Sequence, residues 1–390
     1  GVSLLRIGNP SRVTESMLAH TYEKRFESHP DYPALWQLRR TIRQLYSQPR
    51  RQRSENFHQK IARLHERIDE IEMRIRHALF DQSRVIASTL IGAANPLLAG
   101  QHFHTLFIDE AAQALEAACW IPLLRADRAI LAGDHQQLPP TIKSPEALKG
   151  GLGRTLMEQV AEAKPDVVRL LRVQYRMNEE LMHFSSEWFY GGQLEVAPEV
   201  RHRSMVDDLG HPLEWIDTDL LPQMDEMSAH EQMVGANYGR INKAEALLTL
   251  QSLHNYVERM GRHRIVEERV DFGVISPYRA QVQYLRGLIR RDEFLRPLRG
   301  LITVNTVDAF QGQERDVIVV SMVRANEQGQ IGFLSDLRRM NVAITRARYQ
   351  LIILGSRSTL CRHRFYRKLY ESCYHVSIGL GTTTETPSED

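Results

Sequence analysis

The strongest constraint on this chain is an alternation that runs through most of it. Short apolar runs at 85–89, 103–108, 129–132, 167–171, 272–276, 302–305, 317–323 and 349–354 are separated by helix-like stretches at 112–120, 145–163, 178–188, 242–259, 279–290 and 336–347. Runs that are apolar throughout are the pattern of strands buried on both faces, and strands spaced by helices argue a parallel, doubly wound sheet. The pattern forms two blocks of similar build, and 390 residues is long for one core. The expected fold class is therefore α/β, with two parallel-sheet domains. A polar, irregular region is expected at 196–239 and a disordered tail at 379–390, where Thr, Ser and Glu predominate.

Ahead of the first block lies a different pattern. Residues 2–7 read as a short strand stopped by Gly8-Asn9-Pro10, and residues 15–28 as helix. Then Leu35, Leu38, Ile42 and Leu45 recur at alternating three- and four-residue spacing. Beyond Pro49, so do Phe57, Ile61, Leu64, Ile68, Ile71, Ile75 and Ala78. One apolar seam per helix predicts an antiparallel hairpin in which each helix buries the other's stripe. Residues 39–76 hold 11 Lys or Arg against 5 Asp or Glu. That excess fits either a solvated arm or a basic projection that touches phosphates, and reversing Arg50, Arg51 and Arg53 would separate the two. The expected organisation is residues 1–14 as strand and turn, 15–82 as arm, 83–170 as the first sheet domain and 171–378 as the second.

Composition narrows the function classes. The net charge of +2 is too mild to establish a nucleic-acid partner. Cys119, Cys361 and Cys373 are too widely spaced for a disulfide framework or a zinc site, which implies a reducing compartment. No apolar run approaches membrane-spanning length and no secretion signal is visible, so a cytoplasmic protein without a membrane partner is expected.

The chemistry gathers where apolar runs end. The run at 103–108 stops abruptly at Asp109 and Glu110. Ligands of open α/β sheets collect at the strands' carboxyl ends. One carboxylate there can hold Mg²⁺ through its waters while the next polarises an attacking water, although the pair equally suits an acidic first turn of a helix. The following strand ends in Gly133, Asp134, His135, Gln136 and Gln137. Glycine permits close backbone approach, and a Gln amide can donate to a phosphate oxygen and orient a water. Arg176 beside Tyr175 reads either as a ligand contact or as a salt bridge beside a packed ring. Residues 307–314 form a strand end that turns through Gly312, where a ligand can be held. The helix at 338–348 is basic at both ends, which also suits its C-terminus electrostatically.

Taken in order, DEAAQ at 109–113, GDHQQLPP at 133–140, QYRM at 174–177, SPYRAQ at 276–281, VDAFQGQE at 307–314 and NVAITRAR at 341–348 resemble the superfamily 1B helicases of the up-frameshift type. Phe189-Tyr190-Gly191-Gly192 and the arm before Val85 match the layout too. One departure is Asn178-Glu179, where His-Pro often follows QYRM. The resemblance implies two RecA-like domains, the first incomplete, that use ATP and Mg²⁺ to move on single-stranded nucleic acid, with DNA favoured over RNA and 5′→3′ stepping. It implies that Asp109 holds Mg²⁺ and Glu110 activates water. Gln137 would sense the γ-phosphate, with Gly133 and Asp134 beside the nucleotide. Tyr175 would stack on adenine, Arg176 and Arg346 would reach the γ-phosphate, and Gly312 and Glu314 would lie near the ribose. Ser88, Thr89, Pro277, Tyr278 and Thr306 would track the strand's backbone, although Tyr278 equally fits a ring packed against its own strand. Protein partners are not implied.

Such an engine needs a G-x-x-x-x-G-K-[ST] loop, and these 390 residues contain none. The expectation is a C-terminal portion of a longer helicase, inactive alone. A rival expectation is a non-catalytic nucleic-acid-binding or assembly module derived from a helicase. Paired acids together with two cleft arginines argue against that rival.

Overall fold

The computed structural model describes residues 2–47, 49, 56–205, 211–220, 230–235 and 239–376. The expected tail, and the arginines at 50, 51 and 53, lie outside the described residues. The chain divides into two compact units, Gly1–Gly133 with Pro140–Gln159, and Asp134–Pro139 with Val160–Asp390. The division therefore falls near residue 160, ahead of the boundary at 170 suggested by the sequence. Six residues after Gly133 also belong to the second unit.

In the first unit, β1 (Leu4–Arg6) pairs in parallel with β2 (Val85–Ala87). The arm lies between them in sequence, as helices α1 (Tyr32–Ser47) and α2 (Phe57–Asp81). They run antiparallel: Arg74 meets Asp31 at 2.9 Å, Arg39 meets Glu72 at 2.6 Å, and the rings of Tyr46 and Phe57 lie 5.9 Å apart. Leu35, Ile42, Phe57, Ile61, Ile68, Ile71 and Ile75 are buried along the seam, which reaches Leu5 of β1. The seam ends on buried Leu79, with the expected Ala78 only half-buried. A helix turns every 3.6 residues, so its buried stripe drifts away from a strict 3.5-residue repeat.

Strands β3 (Phe103–Ile108) and β4 (Ala126–Leu131) form a second parallel pair. Among the described residues the four strands make two separate pairs and not one continuous sheet. After β2 the chain turns into the 3-10 segments Ile91–Ala94 and Pro96–Leu98, and among the described residues no ladder joins β2 to β3. The helix expected at 112–120 begins as a 3-10 turn, Ala111–Gln113, before the α-helix Glu116–Leu123. The one expected at 145–163 breaks into Pro145–Lys149 and Leu156–Ala163 around Gly150, Gly151 and Gly153, with Gly151 at φ +93°.

In the second unit the apolar run at 167–171 forms no strand. Pro165–Val167 is a 3-10 turn, and the residues after it are exposed, Leu171 at 86%. The strand is instead β5 (Val173–Gln174), paired in parallel with β6 (Glu195–Val196). Between them lies α3 (Glu179–Tyr190), where the Asn178 side chain accepts from the Leu181 N–H and Gly191 ends the helix at φ +59°. Next come β7 (Leu213–Asp217), the antiparallel pair β8 (Gln232–Val234) and β9 (Gly239–Ile241), and helix α4 (Lys243–Met260). Then follow β10 (Phe272–Ile275), α5 (Arg279–Arg291), β11 (Ile302–Asn305), β12 (Arg315–Ser321), α6 (Leu337–Ile344), β13 (Ala347–Gly355) and β14 (Tyr374–Val376).

Six of these strands form one sheet in the order β11-β10-β12-β13-β7-β14, parallel throughout. Successive residues of β12 feed opposite cores. Ile318 and Val320 pack with Trp215, Ile353 and Phe365, while Val317 and Val319 pack with Phe272, Val274 and Leu354. Burial on both faces explains why the strand reads as continuously apolar. The region at 196–239, expected to be irregular, supplies β7, an interior strand of the sheet. Glu214 interrupts its apolar run yet is itself buried, beside the edge strand β14. Among the described residues no helix is long and apolar enough to cross a membrane.

Candidate functional site

The first unit presents its acids at the end of β3. Ile108 accepts from the Ala132 N–H at 2.9 Å, and Ala132 accepts in turn from the Ala111 N–H at 2.8 Å, closing the ends of two neighbouring strands. Asp109 and Glu110 protrude beyond them and are exposed. Glu110 takes the left-handed conformation, φ 53° and ψ 39°. A side chain held there costs on the order of 1–3 kcal/mol, and such strain concentrates at functional positions. It is held by local bonds. The Glu110 N–H donates to Asp109 Oδ1 at 3.0 Å, and Gln113 Nε2 donates to Glu110 Oε2 at 2.6 Å.

Gly133 completes the turn. A Cβ there would lie 2.9 Å from the Ala112 nitrogen and 3.0 Å from that of Ala111, so only glycine lets the end of β4 pass this closely. Ser88 and Thr89 are exposed just beyond β2, with Thr89 Oγ1 accepting from the Gly92 N–H at 3.0 Å.

The second unit holds the remaining residues. Asp134 Oδ1 accepts from the Gln136 N–H at 2.9 Å, and Oδ2 accepts from Gln137 Nε2 at 2.8 Å and from the Tyr190 hydroxyl at 2.6 Å. Burial pushes the Tyr190 hydroxyl far above its ordinary pKa. The charge and hydrogen bond of Asp134 add to the rise, against smaller opposing effects of Asn341 and Gln137. Tyr190 therefore stays a donor at any physiological pH.

Arg176 and Arg346 meet at Thr345. Arg176 donates from Nη1 to the Thr345 carbonyl at 2.9 Å, and Arg346 from Nη2 to Thr345 Oγ1 at 2.8 Å. Arg346 is buried at 3% exposure and also donates from Nε to the Val342 carbonyl at 2.9 Å. Glu314 faces Arg176 Nε at 2.7 Å and Arg348 Nε at 3.3 Å. Partial burial raises its carboxyl, but the hydrogen bond and charge of Arg176, with the charges of Arg348 and Arg203, outweigh this and hold it below the ordinary range. Gly312, at φ +70°, makes the turn before it. Tyr175 is 66% exposed and presents its ring to solvent. Tyr278 is 5% exposed. Its ring packs against Phe333, and its hydroxyl accepts from Arg324 Nη1 at 3.3 Å. Pro277 and Thr306 are half-buried at the ends of β10 and β11.

A model of an AAA domain matches residues 152–358, more than half of the chain, and a second AAA-domain model matches residues 1–145. The chain belongs to this family, the superfamily 1B helicases of the up-frameshift type. An uncharacterised ATP-dependent helicase of Methanocaldococcus jannaschii is 30% identical over 94% of the chain and 59% of its own length. DNA-binding protein SMUBP-2 of Rattus norvegicus is 34% identical over 94% of the chain and 37% of its own length. A regulator of nonsense transcripts 1 homologue of Neurospora crassa is 34% identical over 78% of the chain and 27% of its own length. The chain thus spans less than two thirds of the relatives it matches.

For a helicase of this family, the acid pair fits Mg²⁺–nucleotide. Mg²⁺ is commonly held by one or two carboxylates, waters and the substrate's phosphates, not by a protein cage. Among the described residues no group of three or more His, Cys, Asp or Glu side chains stands together as such a cage. Sequence reasoning gave no role to Ser185, nor to Tyr190, Asn341 and Thr345, although the last three lie within the stretches that carried the resemblance; all four bond to or near the expected residues. One signal was available: Asn341 is a polar residue between apolar Met340 and Val342, on the stretch of α6 that is buried.

Proposed function

We propose that this chain carries the hydrolytic and arginine-bearing part of an ATP-dependent translocase on single-stranded nucleic acid. The observation that carries this reading is the meeting of Arg176 and Arg346 at Thr345, from positions far apart in sequence. Phosphoryl transfer needs cations around the oxygens of the transferred group, and arginines are the groups that supply them.

In this reading Asp109 holds Mg²⁺ and Glu110, kept in its left-handed turn by Asp109 and Gln113, takes the proton of the attacking water. Gln137 senses the γ-phosphate, with Gly133 and Asp134 beside it. Tyr175 offers its exposed ring to the adenine, and Gly312 and Glu314 lie near the ribose. Mg²⁺–ATP supplies the phosphoryl group. Ser88, Thr89, Pro277, Tyr278 and Thr306 follow the strand through its backbone, Tyr278 by its main chain and rim because its ring is packed. Contacts of that kind position a strand without reading its sequence.

We further propose 5′→3′ stepping, a preference for DNA over RNA, and a cytoplasmic location, which suits three free thiols. The relatives' names divide on the strand, one being a DNA-binding protein and another a regulator of nonsense transcripts. The 390-residue chain by itself, without a G-x-x-x-x-G-K-[ST] run, is expected to hydrolyse ATP negligibly, and robust turnover by it would overturn that expectation.

The test is ATP hydrolysis by the full-length protein, with and without oligo-dT or oligo-U. Strand-stimulated turnover that falls about 10²–10⁴-fold in Glu110→Gln, with nucleotide still bound, supports the reading. Turnover that ignores both strand and substitution rejects it.

A further inference from the structure

The Asp134–Pro139 segment is tied to the second unit by a hydrogen-bonded chain that none of the roles above uses. Asp134 Oδ2 takes the Tyr190 hydroxyl at 2.6 Å. The Tyr190 oxygen in turn accepts from Asn341 Nδ2 at 2.9 Å, and the same nitrogen donates to the Gln136 carbonyl at 3.0 Å. Asn341 Oδ1 accepts from Ser185 Oγ at 2.6 Å. Both amide hydrogens and the amide oxygen of Asn341 are thereby engaged, so its side chain has one orientation. Ser185 and Asn341 are fully buried, and Leu138 anchors the far end of the segment in the apolar core.

Gln137 hangs from this lattice. Its Nε2 is held by the same carboxylate oxygen that takes the Tyr190 hydroxyl. The other end of the lattice reaches the arginines. Asn341 sits on α6, its carbonyl accepts from Thr345 Oγ1 at 2.6 Å, and Thr345 receives both Arg176 and Arg346. Helix α6 and the residue that caps it, Thr345, therefore carry the support of Gln137 and a hydrogen-bond acceptor for each guanidinium group.

We propose that Tyr190 and Asn341 are positioning residues that hold Gln137 in a fixed relation to Arg176 and Arg346. This rests on the reading of Gln137 as the γ-phosphate sensor. The physical need is geometric. A Gln amide on an irregular segment has many rotamers, and a misplacement of about 1 Å can cost on the order of 10²-fold in rate. Asp134, fed by Tyr190 and by the Gln136 N–H, removes that freedom before the nucleotide arrives. Asn341 prevents the hydroxyl from turning elsewhere.

The test uses Tyr190→Phe in the full-length protein, which removes the hydroxyl and keeps the ring. Strand-stimulated kcat is expected to fall about tenfold or more, with KM for ATP changed less than about threefold. Hydrogen exchange of the Gln136 amide is expected to quicken. The Tyr190→Phe/Gln137→Ala double variant should be no slower than Gln137→Ala, since both act through one group. An unchanged kcat in Tyr190→Phe, or losses that multiply in the double variant, overturns the positioning role. If Gln137→Ala itself leaves kcat unchanged, the sensor reading fails, and this inference fails with it. Should Tyr190→Phe fail to fold, Asn341→Ser is read by the same kinetics and the same exchange, with the same two outcomes.

Discussion

Replacing Gly133 with alanine tests whether the acid pair is placed by backbone packing or by its own side chains. Gly133 does not occupy the left-handed region, so alanine carries no conformational penalty there and the effect is purely steric. The added Cβ would lie 2.9 Å from the Ala112 nitrogen, 3.0 Å from the Ala111 nitrogen and 3.0 Å from Met157 Sδ. Ordinary contact begins at 3.4 Å, so the two nitrogens must retreat by roughly half an ångström. Both belong to the turn that follows Glu110, and the Ala111 N–H is tied to the Ala132 carbonyl at 2.8 Å. The clash therefore loads that bond directly. Overpacking of this kind costs about 1–3 kcal/mol.

The assay is urea unfolding of the chain, together with hydrogen exchange of the Ala111 and Ala132 amides, which report the strand ends locally. The matched control is Gly287→Ala in α5, where nothing lies within 4 Å of the added carbon. That change should stabilise the helix by about 0.5–1 kcal/mol. A Gly133→Ala chain within about 0.5 kcal/mol of the parent, with unaltered exchange at Ala111, would refute the reasoning. It would mean that the strand ends yield freely and that glycine is not what places Glu110.

Two further perturbations follow from other parts of the molecule. Glu245 is fully buried, its Oε1 accepting from Ser321 Oγ at 2.5 Å and from the Val323 N–H at 2.8 Å, and burial pushes its carboxyl up to about 8. Its folded pKa exceeds the unfolded value of 4.5, so its contribution to stability is complete below about 4.5 and is lost as the pH rises toward 8. Glu245→Gln should flatten the pH dependence of the thermal midpoint over that window and raise the midpoint at pH 8; a midpoint that keeps its slope rejects the idea. In the arm, Ile75→Ala should cost about 2–5 kcal/mol because Ile75 is fully buried on the seam, whereas Met73→Ala at an exposed position should be near neutral by the same denaturation measurement.

In the second unit's sheet, β10, β12 and β13 were legible because each lies between two cores. Burial of both faces writes an unbroken apolar run into β10, β12 and β13. The arm was legible for a related reason, since two helices that bury only each other must carry a stripe. β7 was not legible. Glu214 breaks its run, and its burial depends on β13 and β14 on either side, which are distant in sequence. The run at 167–171 misled in the opposite sense. It has a strand's composition, but nothing pairs with it among the described residues.

For the site, the chain's order of residues determined which chemical groups stand at strand ends, because strand length and the abrupt change from apolar to polar are local properties. It also determined family membership through short runs kept in order. Tertiary structure alone decided which groups meet. Arg176 reaches Thr345, the neighbour of Arg346, across 169 residues, and Asp134, which holds Gln137, is met by Tyr190 across 56 residues and, through it, by Asn341 across a further 151. Hydrogen bonds of this kind depend on ångström-scale placement by a packed sheet. Local composition carries no record of that placement.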